Sequence, residues 1–457
     1  MLENLPNELI LQILAHCSSA RDLHRFLTAS PCCYRIFALS PETMLLSLLR
    51  GLVPASAWGD FAAVCHAGAF TCDDTDNEQP VLQKQDVPAF LDRYFNGGFG
   101  FPTTKAHLVA GLRLHATTTY FINDCVDKAA EEISFLAEHN LYGALGSTFC
   151  SVRARQAEVS DGISQCTSRS SSDTTDAAMF ETLSSTETAR LYCAFYRLEM
   201  QSRVFRHGQR SFSMLSGREQ LDLFLRRLPP WAVEELTCAH QYFLYGVWDA
   251  LKESINCGLA SAESPLRHFG TDLPFVPSCL QSNRAWPLFL SGLVLRGVDF
   301  LYNVLVVQQN DRRFGRRLPE DSLDTTSSGE LEAGNMVPQF LVSALEIARC
   351  RQHAEEEPMR PAPEEDGEDG EEKDAAGPSR GFCEHACRAG VIAGGYLPML
   401  RYEEHEALRA TGYVFWDRGK MRSDVMRNAV AGANGMDREA YYDRYGREHR
   451  SLVVAPN

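Results

Sequence analysis

Apolar side chains in this chain return every three or four residues, over stretches long enough that helices are the simplest fold the sequence allows. In "LSSTETARLYCAFYRLEMQSRVF" (183–205), Leu191, Phe195, Leu198, Ser202 and Phe205 succeed one another at spacings of four, three, four and three, which makes one continuous inward stripe. Ser184 and Glu187 have capping-box spacing just ahead of it: the serine oxygen covers the amide three residues on, and the glutamate reaches back. In "LRRLPPWAVEELTCAHQYFLYGVWDALK" (225–252), Pro229 and Pro230 stop one helix and start another. Trp231, Glu235, Cys238 and Tyr242 then recur at helical spacing, and Trp231 and Trp248 read as anchors of helix contacts. Helical patterning also covers 52–150, 284–310 and 336–357. With 44% hydrophobic residues there is enough apolar material for a sizeable core. No repeat of fixed period 20 to 50 occurs, which removes solenoid and propeller arrays.

The N-terminal 50 residues carry shorter periods. Leu9, Ile10, Ile13, Leu14 and Cys17 share one face, and Leu23, Phe26 and Leu27 another. Pro6 suits a first helical turn, residues 18–21 break the pattern, and Pro31 and Pro41 punctuate the chain beyond residue 30. The expectation is three helices, at 6–17, 21–29 and 41–50.

A chain of 457 residues exceeds one ordinary domain. The expected organisation is a helical module at 1–50, a helical segment at 51–155 and a Ser/Thr-rich disordered loop at 156–182. A helical body at 183–354, an acidic disordered linker at 355–381 and a C-terminal segment at 382–457 complete it. In the last segment Tyr413 to Trp416 is a β-prone run after Gly412. The fold class is mainly α, an irregular multi-helix body with at most a small β element near the C-terminus.

Charge and cysteine content narrow the function. The formal charge is −16, which argues against a nucleic-acid binder, since phosphates call for a basic face. Residues 355–374 hold 11 acids against Arg360 and Lys373, so the rest of the chain is only mildly acidic. An odd count of 15 cysteines behind a start bearing Glu3 and Pro6 is expected to mean reduced thiols in the cytoplasm or nucleus. The apolar stretch 287–307 contains Arg296 and Asp299, costly in lipid, and reads as a buried helix rather than a membrane span.

Catalytic and metal motifs are few. "GGFG" (97–100) is followed by no Gly-Lys-Ser/Thr and reads as a turn. In "CEHAC", Cys383 and Cys387 would share a helix face while His385 points away, and no second pair stands at finger spacing. Cys32 and Cys33 read as small apolar fillers of a helix interface. "EEHE" (403–406) reads as an exposed charged stretch, and there is neither a Gly-x-Ser-x-Gly elbow nor a His-Glu-x-x-His pair. The chain is expected to be no enzyme and to carry no cofactor or metal.

Leu5-Pro6-x-Glu8-Leu9, then Ile13-Leu14, Asp22-Leu23 and Ala29-Ser30, resembles the F-box motif over about the first 45 residues. The resemblance implies a three-helix unit that docks on the small Skp-type adaptor of a cullin-based (SCF) ubiquitin ligase, with the rest of the chain holding an unknown protein substrate. Leu5, Pro6, Leu9, Ile13, Leu14 and Leu23 match positions that the family uses as apolar contacts or module core, and Glu8 matches a commonly acidic one. The chain departs from the family at Cys33, where a Trp is usual, and at Pro31, where a Lys is usual. Residues 183–205, 229–247 and 408–421 are similar to recurring blocks of filamentous-fungal proteins with an F-box-like start and a helical body. The alternative is a non-catalytic helical scaffold whose N-terminal helices belong to the core and bind no ligase adaptor.

Overall fold

A computed structural model describes residues 5–17, 19–67, 85–144, 182–205, 217–256, 294–307, 379 and 406–435. These are 83% helical with no strand, so the protein is mainly α. The helices are α1 (Asn7–Ala15), α2 (Ala20–Ala29), α3 (Pro31–Leu39), α4 (Pro41–Leu52), α5 (Trp58–Ala67), α6 (Asp86–Phe95) and α7 (Lys105–Ala144). They continue with α8 (Ser185–Val204), α9 (Gly217–Leu223), α10 (Pro230–Asn256), α11 (Val298–Tyr302), α12 (Glu406–Ala410), α13 (Arg418–Met421) and α14 (Asp424–Gly435). Most of the segments expected at 156–182, 336–357 and 355–381, together with Cys383, His385 and Cys387, lie outside the described residues.

The N-terminal stretch holds four helices rather than three. Pro31 does not merely punctuate: it is the first residue of α3, and the Ser30 hydroxyl oxygen accepts the Cys33 amide at 3.4 Å. A proline costs a helix nothing at that position, because its missing N–H would have no intrahelical partner. Ser19 plays the same part for α2, accepting the Asp22 amide at 3.0 Å. Helix α3 packs on α1, α2 and α4, and α1 packs on α4. Ile10, Leu14, Leu23, Cys33, Ile36, Met44, Leu45, Leu48 and Leu49 are buried.

The chain divides into two compact units. The first comprises Met1–Ile122, Thr188–Pro229 and Phe243–Ala344. Its part of α8 is buried almost all round, and the stripe Leu191, Phe195, Leu198, Ser202 and Phe205 lies inward as its spacing predicts. Around it Tyr196 meets Phe61 edge-on at 5.3 Å, Phe195 meets Phe243 at 5.4 Å and Phe205 meets Phe224 at 6.2 Å. Each such buried side chain contributes about 1.5–3 kcal/mol of transfer free energy. Gly111 lets α7 approach closely, since a Cβ there would stand 3.0 Å from the Phe61 ring and 3.3 Å from the Cys65 sulfur. The "GGFG" stretch is a turn: Gly97 has φ +66°, and the Arg93 Nε donates to the Gly98 carbonyl at 2.7 Å while its guanidinium lies 4.6 Å from the Phe99 ring centre. The apolar stretch expected as one helix over 287–307 is interrupted in its described part, 294–307. Gly297 takes φ +95°, and a Cβ there would meet Ser202 Oγ at 2.7 Å and Glu199 Oε2 at 2.8 Å. The close approach lets Glu199 accept the Val298 amide at 2.7 Å, at the start of α11.

The second unit comprises Asn123–Glu187, Pro230–Tyr242 and Leu345–Asn457. The β-prone run Tyr413–Trp416 forms a 3-10 turn over Tyr413–Phe415. Thr411 to Trp416 are all buried, the Phe415 amide bonds to the Gly412 carbonyl at 2.9 Å, and Trp416 Nε1 donates to the Thr411 carbonyl at 2.7 Å. Those groups close on their own turn, and the described residues offer no neighbouring strand to pair with.

Candidate docking face and buried polar groups

The residues singled out at the N-terminus separate into two sets. Ile10 and Leu14 face inward from α1, and Leu23 faces inward from α2. Leu14 and Leu23 therefore hold the helices together and are not presented to a partner. On the other side of α1, Leu9 is 44% exposed and Ile13 37%; four residues apart, they lie one above the other. Pro6 and Glu8 are exposed beside them in sequence, and Leu5 is half-buried. Pro6 itself precedes the helix, and its carbonyl accepts the Leu9 amide at 3.0 Å.

Two further residues, Tyr34 (59% exposed) and Leu39 (79%), become surface groups only because α3 exists, a helix that periodicity alone does not announce. The signal for it is Ser30-Pro31, a capping serine followed by a first-turn proline. Of the five large hydrophobic side chains exposed among the described residues, four are Leu9, Ile13, Tyr34 and Leu39 on α1 and α3; the fifth is Tyr120. Cys33, where the F-box pattern carries a Trp, is buried in the cluster. A ring at that depth would need more room than a thiol occupies.

Several buried charged groups inside the units are paired. In the second unit Arg409 Nε donates to Glu234 Oε1 at 2.7 Å and its Nη2 to Oε2 at 3.2 Å, a bidentate pair with both side chains buried. Tyr413 Oη adds a third donor to Glu234 at 3.1 Å. Burial alone would depress the Arg409 guanidinium, but Glu234 holds it above its ordinary value. Glu187 forms a second node. It receives the Ser184 amide at 3.0 Å, closing the capping box, together with the Asp417 amide at 2.9 Å and the Lys420 ammonium at 2.7 Å. Ser184 and Thr186 hydroxyls both donate to Asp417. A hydroxyl on a carboxylate with no histidine beside it lacks the arrangement that activates a nucleophile, and the node reads as a clamp on residues 406–435.

In the first unit Asp60 is buried, accepts the Tyr94 hydroxyl at 2.5 Å and pairs with Arg197 at 3.1 Å. Burial and the Asp60 carboxylate together push the Tyr94 phenol well above its ordinary value. His115 shares a hydrogen bond with Tyr196 Oη at 2.9 Å and stacks on Tyr192 at 5.1 Å. Burial lowers its pKa to about 4, which keeps the ring neutral at pH 7. His240, in the second unit, is lowered to about 4 for the same reason. Burial raises the Cys65 and Cys125 thiols to about 12, which leaves them as packing groups rather than nucleophiles. Among the described residues no three His, Cys, Asp or Glu side chains are grouped to hold a metal, and no single helix is long and apolar enough to cross a membrane.

No family model, curated protein or solved structure matches the chain.

Proposed function

We propose that the protein is a non-catalytic interaction adaptor, an F-box-type substrate receptor of a cullin-based (SCF) ubiquitin ligase acting in the cytoplasm or nucleus. The observation that carries this reading is the concentration of exposed large hydrophobics on α1 and α3, with Leu9 and Ile13 outward while Ile10 and Leu14 fill the interior. Leu9 and Ile13, stacked on one face of α1, make the kind of apolar exposure that a protein contact uses. Leu5, Pro6, Glu8, Leu9 and Ile13 would meet a Skp-type adaptor, with Leu14 and Leu23 as the packing beneath them. The mechanism is proximity: the body holds a protein substrate near a ubiquitin-loaded enzyme and raises its effective concentration without supplying a reacting side chain.

The test is a pull-down of the full-length protein with a Skp-type adaptor, beside the variant Leu9→Asp with Ile13→Asp. Wild-type binding that the variant loses by at least about tenfold, while a thermal melt shows it still folded, supports docking. A wild type that does not bind would leave these helices as part of a helical scaffold.

A further inference from the structure

Two of the polar attachments that hold residues 406–435 within the second unit differ in exposure. The Arg409–Glu234 pair is sealed, with side chains 0% and 2% exposed. The clamp around Glu187 reaches the surface. Glu187 is buried, but Ser184, which caps α8, is exposed, as are Thr182 and Ser185. The Ser184 hydroxyl serves two groups: its oxygen accepts the Glu187 amide at 3.1 Å, and its proton goes to the Asp417 carboxylate. Thr186 donates to the same Asp417 oxygen at 2.7 Å, and the Asp417 amide donates to Glu187 at 2.9 Å. Lys420 donates to Glu187 and to the Thr182 carbonyl, each at 2.7 Å, and lies 5.1 Å from the centre of the buried Trp416 ring. A solvent-accessible hydroxyl is thus bonded directly to the residues that fix Trp416. In sequence, Thr182, Ser184, Ser185 and Thr186 stand between Glu181 and Glu187, an acidic setting that suits a kinase with a basic substrate cleft.

We propose that Ser184 is a phosphorylation site whose modification opens this clamp and frees residues 411–421. The proposal is independent of the docking reading. In the transfer a protein kinase joins Ser184 Oγ to the γ-phosphorus of ATP, the bond from that phosphorus to ADP breaks, and the hydroxyl proton leaves with the base of the kinase. The phosphoserine carries about −1.5 to −2 charges at pH 7. It has no hydroxyl proton to give Asp417, and its charge stands against the carboxylates of Asp417 and Glu187. Drawing the Lys420 ammonium toward the phosphate relieves that repulsion only by taking it from Glu187. The start of α8 responds in the opposite sense, since negative charge at a helix N-terminus is favourable. The disruption therefore falls on the side of Asp417 and Lys420, while α8 keeps its first turn. Ser185 supplies a control: it is exposed one residue on, and among the described residues its hydroxyl bonds to none of the clamp groups.

The experiment treats the full-length protein with ATP and an acid-directed serine kinase, maps the phosphate by peptide mass spectrometry, and follows amide hydrogen exchange of the phosphorylated protein. Ser184→Glu, Ser184→Ala and Ser185→Glu are measured beside it, and thermal melts verify that each is folded. The expected result is phosphate on Ser184 and exchange over residues 411–421 at least about thirtyfold faster in the phosphorylated protein, with residues 191–200 of α8 unchanged. Ser184→Glu should act in the same direction. Ser184→Ala, which loses the cap and the bond to Asp417 but adds no charge, should quicken that exchange by about fivefold or less, and Ser185→Glu by about twofold or less. Absence of phosphate from Ser184 would overturn the proposal, as would a phosphorylated Ser184 that leaves exchange over 411–421 unchanged or slows it. A Ser185→Glu variant that matches Ser184→Glu would also overturn it, because charge near α8 would then suffice without the clamp.

Discussion

Glu234 shows how much the second unit depends on single side chains. Its two oxygens take two donors from Arg409 and one from Tyr413, all buried. Converting Glu234 to Gln removes the charge and strands the guanidinium, at a cost of about 3–5 kcal/mol. The double variant Glu234→Leu, Arg409→Met removes both charges and should recover most of that loss; denaturant unfolding of the three proteins checks it. His115 makes a different demand, because it is buried in its neutral form among hydroxyls. The unfolded chain binds a proton at this ring from about pH 6.5 downward, whereas the folded protein binds it only near the lowered pKa of about 4. Stability attributable to neutral His115 is thus full above about pH 6.5 and declines as the pH falls toward 4, by about 3 kcal/mol in all. Melting temperatures of wild type and His115→Gln between about pH 7.5 and about pH 4.5 should converge at the acid end, with the variant less pH-dependent. His240 leaves a residual slope in both.

At the scale of elements, the inward stripe expected over 183–205 agrees with the structure, whereas the one helix expected over 287–307 is interrupted at Gly297. The capping box of Ser184 and Glu187 forms both of its bonds, the Glu187 amide reaching Ser184 Oγ at 3.1 Å. Ser184→Ala should cost about 1 kcal/mol for the cap, while Glu187→Ala, which also strands the Lys420 ammonium, should cost about 3–5 kcal/mol. The ratio of the two losses in urea unfolding tests whether the glutamate is more than a cap. Spacing announces the glutamate as a cap but gives no sign of Lys420, 233 residues away, because a partner brought by tertiary folding leaves no local periodicity. The same limit applies to Tyr413–Trp416, whose β propensity yields to a turn closed by its own backbone. Helix α3 is hidden for the opposite reason: Ser30-Pro31 marks a stop in the sequence, although the pair also describes a start. Of the proposed docking face, Leu9 and Ile13 are legible as apolar helix positions. Their outward direction is not, since Ile10 and Leu14 stand next to them in sequence with equal hydrophobicity.

For the whole molecule, the distribution of exposed apolar surface separates interaction from stability. Leu9 is 44% and Ile13 37% exposed, so each still covers part of the first unit, and the Leu9→Asp, Ile13→Asp variant should lose about 0.5–3 kcal/mol while staying folded. A larger loss, measured by thermal or urea unfolding, would mean that these side chains support the first unit. Each unit also carries its own buried ionic node, Asp60 with Arg197 in the first and Glu234 with Arg409 in the second. Buried pairs of this kind are poor sources of net stability compared with apolar residues of the same volume. They do punish every arrangement in which the partners miss each other, which limits how many ways a helical chain of this length can pack.

Ser30 ends α2 and begins α3, and Ser40 ends α3 and begins α4, each followed at once by a proline. Helices α3 and α4 meet there at a bend of 96°. The three helices are thus jointed without any spacer, like rods welded at single points. One residue added after Ser30 would rotate its register by about 100° if the helix continued. Tyr34 would swing off its present bearing, and Cys33 would leave the interior. Substitutions on the outer faces of this cluster leave the joints in place, whereas one residue added at a joint redraws the surface they present.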